Sequence, residues 1–141
     1  MDERFVIIPS LIEFYPKFNY DFSYINQKLG AGMGLWLHTF LIVLATLAIT
    51  LWYKFMQYIS QKAKVVDVSF IFFISAIACV LSGYFIWNGI LDFIYLVPLF
   101  IFDLKDIYVN IFVVLFLFSA FKYHKQGNIK EYYKSVLKKN K

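Results

Sequence analysis

The acidic side chains of this sequence gather beside its most apolar segments. Asp103, Lys105 and Asp106 stand at the head of FDLKDIYVNIFVVLFLFSAF, residues 102–121, just before about four turns of apolar helix. Asp92 lies a short way upstream, in ILDFI at residues 90–94. Two chemistries suit carboxylates so placed. In one, Asp103 caps the last apolar helix and Asp106 falls in its first turn, where carboxylates satisfy free amides and favour the helix dipole. In the other, two carboxylates face each other across two helices and share a proton, because close carboxylates cannot both ionise cheaply. One is then an acid and the other a base that activates water, which is an aspartic peptidase site at a membrane surface.

The other reactive side chains offer less. His38 falls within the first apolar stretch and His124 just past the last. An intramembrane histidine can mark a proton path, but no acid shares its stretch, so a hydrogen bond to a neighbouring helix is the expected role. Neither histidine has a partner at ligand spacing, so no metal and no cofactor is expected. Cys79 is the only cysteine, which excludes disulfides and cysteine-metal clusters and leaves it as a small buried hydrophobe.

The elements that must position these groups follow from composition. At 61% hydrophobic and 22% aromatic, the 141 residues are too apolar for a soluble domain. Three stretches reach the roughly 20 residues that cross a bilayer core: about Met33 to Tyr53, Val68 to Ile90 and Ile107 to Tyr123. The expected fold is an α-helical integral membrane protein of one domain. It has an extracytoplasmic, β-containing segment at residues 1–32, transmembrane helices at 33–53, 68–90 and 107–123, and a basic tail at 124–141. Between the last two helices FIYLVPLFIF, residues 93–102, is too short to span and contains Pro98, so it reads as an interfacial or re-entrant connection.

Charge orients the chain. The net charge is +5, but its placement argues for a membrane surface and against nucleic acid. Lys54, Lys62 and Lys64 follow the first stretch, and Lys122, Lys125, Lys130, Lys134, Lys138, Lys139 and Lys141 follow the third. The opposite side carries Asp2, Glu3, Glu13, Asp21, Asp92, Asp103 and Asp106 against four basic residues, Lys28 among them. The positive-inside rule puts the basic side in the cytoplasm and the N-terminus outside. The N-terminus lacks a signal-peptide pattern, and about thirty residues must then cross without a leading helix, or an upstream helix is missing.

Within residues 1–32, FVII and the alternation of YDFSYI (20–25) suggest strands. KLGAGMG at 28–34 is dense enough in glycine to allow close backbone approach or positive φ, or a flexible helix entry. The tail spaces Ile129, Tyr132, Tyr133, Val136 and Leu137 helically between lysines. That pattern fits an amphipathic helix on an anionic leaflet or a solvated charged tail.

The order of these features resembles the bacterial lipoprotein signal peptidases, the type II signal peptidase family, from about Phe5 to Tyr123. KLGAGMG is similar to that family's Asn-x-Gly-Ala-Ala-Phe-Gly stretch. GYFIWN (83–88) stands at its Gly-Asn-x-x-Asp-Arg, ILDFI at its Val-x-Asp-Phe-Ile, and FDLKD (102–106) at its Phe-Asn-x-Ala-Asp. The resemblance implies a catalytic pair of aspartates. The second falls on Asp106, whereas the first falls on Trp87, which can neither hold a proton nor activate water. Lys28, Tyr84 and Asn88 also replace family residues, Lys105 replaces a small one, and the family's first helix has no counterpart.

The resemblance therefore implies a signal-peptidase-II-like protein of the bacterial inner membrane with impaired or lost peptidase activity. Its groove would accept lipid-modified or transmembrane peptides, with Gly30, Gly32, Trp87, Asn88 and Asp103 along it. A working aspartic peptidase using Asp106 with Asp92 or Asp103 is the second expectation. A small helical subunit of a larger membrane complex, its acids serving only as caps, is the third. Lipid, and lipoprotein precursors or other membrane proteins, are the expected partners.

Overall fold

A computed structural model describes residues 3–20, 26, 29–30, 32–61 and 63–139. The expectation of a strand through residues 21–25 lies outside the described residues, as do Asp2, Asp21, Lys28, Lys62 and Lys141. The chain is a mostly helical membrane protein. Among the described residues, three helices are long and apolar enough to cross a bilayer: α1 (Leu35–Ile59), α2 (Lys64–Trp87) and α3 (Leu104–Tyr123). A four-stranded antiparallel sheet, β1 (Phe5–Ile8), β2 (Ile12–Asn19), β3 (Ile90–Leu96) and β4 (Phe100–Phe102), is attached at one end, and a short helix α4 (Ile129–Lys139) follows α3.

The sheet corrects the reading of residues 93–102. These residues form most of a β-hairpin, β3 and β4, in place of a re-entrant connection, with Tyr95 opposite Ile101. Its other edge pairs with β2, placing Phe14 against Ile94, Lys17 against Asp92 and Asn19 against Ile90. Strand order is β1-β2-β3-β4. Pairing between segments so distant in the chain leaves no trace in local periodicity, and an apolar run reads alike as strand or buried helix. Pro16 lies inside β2, where the register with β3 shifts between Phe14 and Lys17. A bulge is where a strand tolerates a residue without an amide hydrogen.

The helices differ from the expected spans at their ends. Helix α1 runs on to Ile59, α2 starts at Lys64 and stops at Trp87, and α3 starts at Leu104. Ile90, expected inside the second span, instead opens β3. The chain turns there because Asn88 adopts a left-handed conformation (φ 50°) and its N–H donates to the Tyr84 carbonyl at 3.2 Å, a common way to end a helix. Gly83 allows this turn to fold back: a Cβ there would lie 2.9 Å from the Gly89 carbonyl oxygen.

Helices α2 and α3 make the closest helix pair. Ser69 and Ser119 are fully buried between them, Ser69 Oγ donates to the Phe112 carbonyl at 3.5 Å, and the Phe73 and Phe112 rings lie 4.9 Å apart. Small side chains let membrane helices approach, since lipid gives no hydrophobic drive for their association. At the end away from the sheet, Met56, Ile59, Val66 and Tyr123 form a buried cluster. Tyr53 Oη and Gln57 Nε2 donate to Asp67 Oδ1 at 2.7 and 2.5 Å, tying α1 to α2. Helix α4 packs Tyr132 on Phe55 and Tyr58, with ring centroids 5.6 and 5.3 Å apart. Ile129, Val136 and Leu137 remain exposed. Cys79, expected to be buried in protein, faces outward from α2.

Candidate functional site: a lysine among three carboxylates

The site forms where the sheet meets the helices. Asp92 comes from β3, while Asp103 is the N-cap of α3 and Lys105 and Asp106 lie in its first turn. The Asp103 side chain accepts from the Lys105 and Asp106 amides at 2.9 and 3.3 Å, and Asp106 Oδ2 accepts from the Asp103 amide at 3.1 Å. This reciprocal arrangement is a capping box with aspartate in the third helical position. Capping and a carboxylate pair are thus compatible readings of the same residues.

Lys105 Nζ lies 2.8 Å from Asp92 Oδ1, 2.9 Å from Asp103 Oδ1 and 3.3 Å from Asp106 Oδ2. One carboxylate oxygen from each of the three aspartates lies within 4.8 Å of the others. That spacing suits a small cation, and the cation among them is the lysine ammonium. A lysine in the first turn of a helix opposes the helix dipole, so its burial depends on these carboxylates. Asp92, Asp103 and Lys105 are buried, whereas the Asp106 side chain is 44% exposed. Burial pushes the Asp103 carboxyl above the ordinary carboxylate range, and nearby Asp106 and Asp92 push it the same way. The hydrogen bond from Lys105 opposes them without cancelling the effect.

Below the cluster opens a cavity of about 560 Å³ bounded by all three spans and the sheet. Its polar lining is Asn19, His38, Tyr84, Asp92, Lys105, Asp106 and Asn110, and its apolar lining includes Ile42, Val80, Phe102 and Val109. Asn19 Nδ2 donates to Asp92 Oδ2 at 3.4 Å, and Tyr84 is buried within the electrostatic reach of Lys105. The ring nitrogen Nδ1 of His38 lies 3.3 Å from the Gly34 carbonyl at the head of its own helix.

The structure brings Asp92, Asp103 and Asp106 together and leaves other expected site residues outside. Trp87 is 51% exposed and does not line the cavity; Tyr84, one turn earlier, takes the inward face. Asn88 serves the turn after α2. Gly30 and Gly32 adopt φ of 58° and 60°, and a Cβ at either position would meet nothing within 4 Å, so backbone conformation accounts for them, and close approach does not. Asn19, Tyr84 and Asn110 were not anticipated as lining residues. A signal existed: His38 and Ile42, Val80 and Tyr84, and Asp106 and Asn110 each stand four apart, on one face of a helix.

No protein-family model and no curated protein matches this chain. Among solved structures it is similar to a bacterial membrane enzyme determined by the in meso method at 2.3 Å resolution. The TM-score is 0.52 at 13% identity, over 92% of this chain and 77% of the other. At that identity the likeness shows a shared fold and nothing finer.

Proposed function

We propose that this chain is a signal-peptidase-II-like protein of the bacterial inner membrane whose cavity receives lipid-modified or transmembrane peptides and whose peptidase activity is impaired. The observation that carries this reading is the approach of Asp92 and Asp106 to within 4.8 Å at the head of a cavity walled by membrane helices. The reading assigns Asp92 and Asp106 as the carboxylate pair and relieves Trp87 of any catalytic part. The likeness to a bacterial membrane enzyme supports it at the level of fold.

In a working pair, the ionised carboxylate takes a proton from water as its oxygen adds to the peptide carbonyl carbon. The protonated partner delivers a proton to the leaving nitrogen as the C–N bond breaks, so one water is consumed. Here an ammonium contacts both carboxylates and occupies the place between them. Loss of general acid–base assistance typically slows a reaction by 10²- to 10⁴-fold. The reading places the sheet and the carboxylates on the outer side and the basic end with α4 in the cytoplasm, as the lysine distribution favours.

The test uses the full chain reconstituted in bilayers and a precursor peptide carrying a lipid-modified cysteine. A photocrosslinker at Val109 is expected to capture the peptide, with only trace cleavage, and Asp92→Asn and Asp106→Asn should each abolish the trace. Rapid cleavage would establish a fully active enzyme. Neither capture nor cleavage, with both variants folded, would leave the helical-subunit reading, which the capping box favours.

A further inference from the structure

We infer that Lys105 is an internal latch: its ammonium takes the place of the proton that Asp92 and Asp106 would otherwise share, and so holds the pair out of acid–base chemistry. This rests on the reading of those two residues as the working pair and adds what governs them. The argument is geometric. Nζ sits 2.8 Å from one carboxylate and 3.3 Å from the other, so a single positive charge bridges them, as a bridging proton would.

Among the described residues, charged and titratable groups approach the ammonium and its partners from every element around them, with Lys17 of β2 standing opposite Asp92. Asp92 faces it from β3, Asp103 and Asp106 from its own helix, Tyr84 from α2, and His38 lines the same cavity from α1. Three carboxylates lie within 4.8 Å of one another around the one ammonium that contacts them all. Removing the ammonium from this nearly buried cluster leaves three uncompensated carboxylates, and such a group takes up a proton before it stays fully ionised. Position 105 therefore decides whether the aspartates carry that proton. The two amides of the capping box hold Asp103 in place on its own helix, whereas Asp92 and Asp106 approach the ammonium from separate elements.

The expected result is legible without any substrate. Lys105→Ala, and Lys105→Met as a variant that keeps the volume of the stem, are reconstituted as full chains with a chelator present so that no divalent cation replaces the ammonium. Infrared spectroscopy at neutral pH should show the carbonyl stretch of a protonated carboxyl that is absent from the parent protein. The band should vanish when Asp92→Asn or Asp106→Asn is added and persist with Asp103→Asn. No band in either folded variant overturns the latch, as does a band that only Asp103→Asn removes. Cleavage of the lipid-modified precursor is read separately: a gain of 10²- to 10⁴-fold supports both proposals. The band without cleavage keeps the latch and refutes the peptidase reading.

Discussion

Asp103→Ala removes two interactions that Asp103→Asn separates. The carboxylate accepts from the Lys105 and Asp106 amides at 2.9 and 3.3 Å, which is the N-cap of α3, and it lies 2.9 Å from the Lys105 ammonium. Loss of a cap costs about 1 kcal/mol. A hydrogen bond to a charged group contributes about 1.5–3 kcal/mol, and the lower end applies because Asp92 and Asp106 still hold the ammonium. The alanine variant is therefore expected to lose about 2–3 kcal/mol. Asparagine caps as well as aspartate, so its variant should lose only the ionic part and be about 1 kcal/mol more stable than the alanine variant. Reversible unfolding in mixed micelles, followed by circular dichroism, measures both. Equal losses in the two variants would refute the cap. Losses under about 0.5 kcal/mol in both, the range of ordinary surface changes, would refute the whole account of the cluster.

Four further outcomes are expected. Because burial holds the Asp103 proton above its ordinary value of 3.8, its contribution to stability is complete below that value and is lost as pH rises through the folded one; the stability of the parent protein minus that of Asp103→Asn should fall as pH rises from 3.8, and a rise would contradict the burial. Gly83→Ala sets a methyl group 2.9 Å from the Gly89 oxygen, so a thermal melt should show a loss of about 1–3 kcal/mol, with weaker crosslinking at the cavity as the start of β3 shifts. The buried Ser119 hydroxyl has no hydrogen-bond partner among the described residues, so Ser119→Ala should be neutral or stabilising, whereas Ser69→Ala should cost about 1 kcal/mol. A spin label at the exposed Leu137 of α4 should sit deeper in bilayers containing anionic lipid than in neutral ones, and equal depth in both would return the tail to a solvated role.

The order of amino acids alone established the class of molecule and the identity of its charged groups. Three runs of apolar residues long enough to cross a bilayer specify membrane helices, because every backbone polar group in hydrocarbon must be satisfied within its own segment. Asp103 as a helix cap was equally legible, since capping is a matter of a few consecutive residues. Packing in three dimensions governed everything that joins distant segments. The pairing of residues 12–19 with 90–96 made strands of a stretch that looked like a re-entrant loop, and it placed Asp92 beside α3, where motif matching had set Trp87. It also turned Lys105 from a neighbour of Asp106 into a bridge among three carboxylates. A side chain's electrostatic partners depend on where it lies in space, and a register that crosses seventy residues of chain is written in no local pattern.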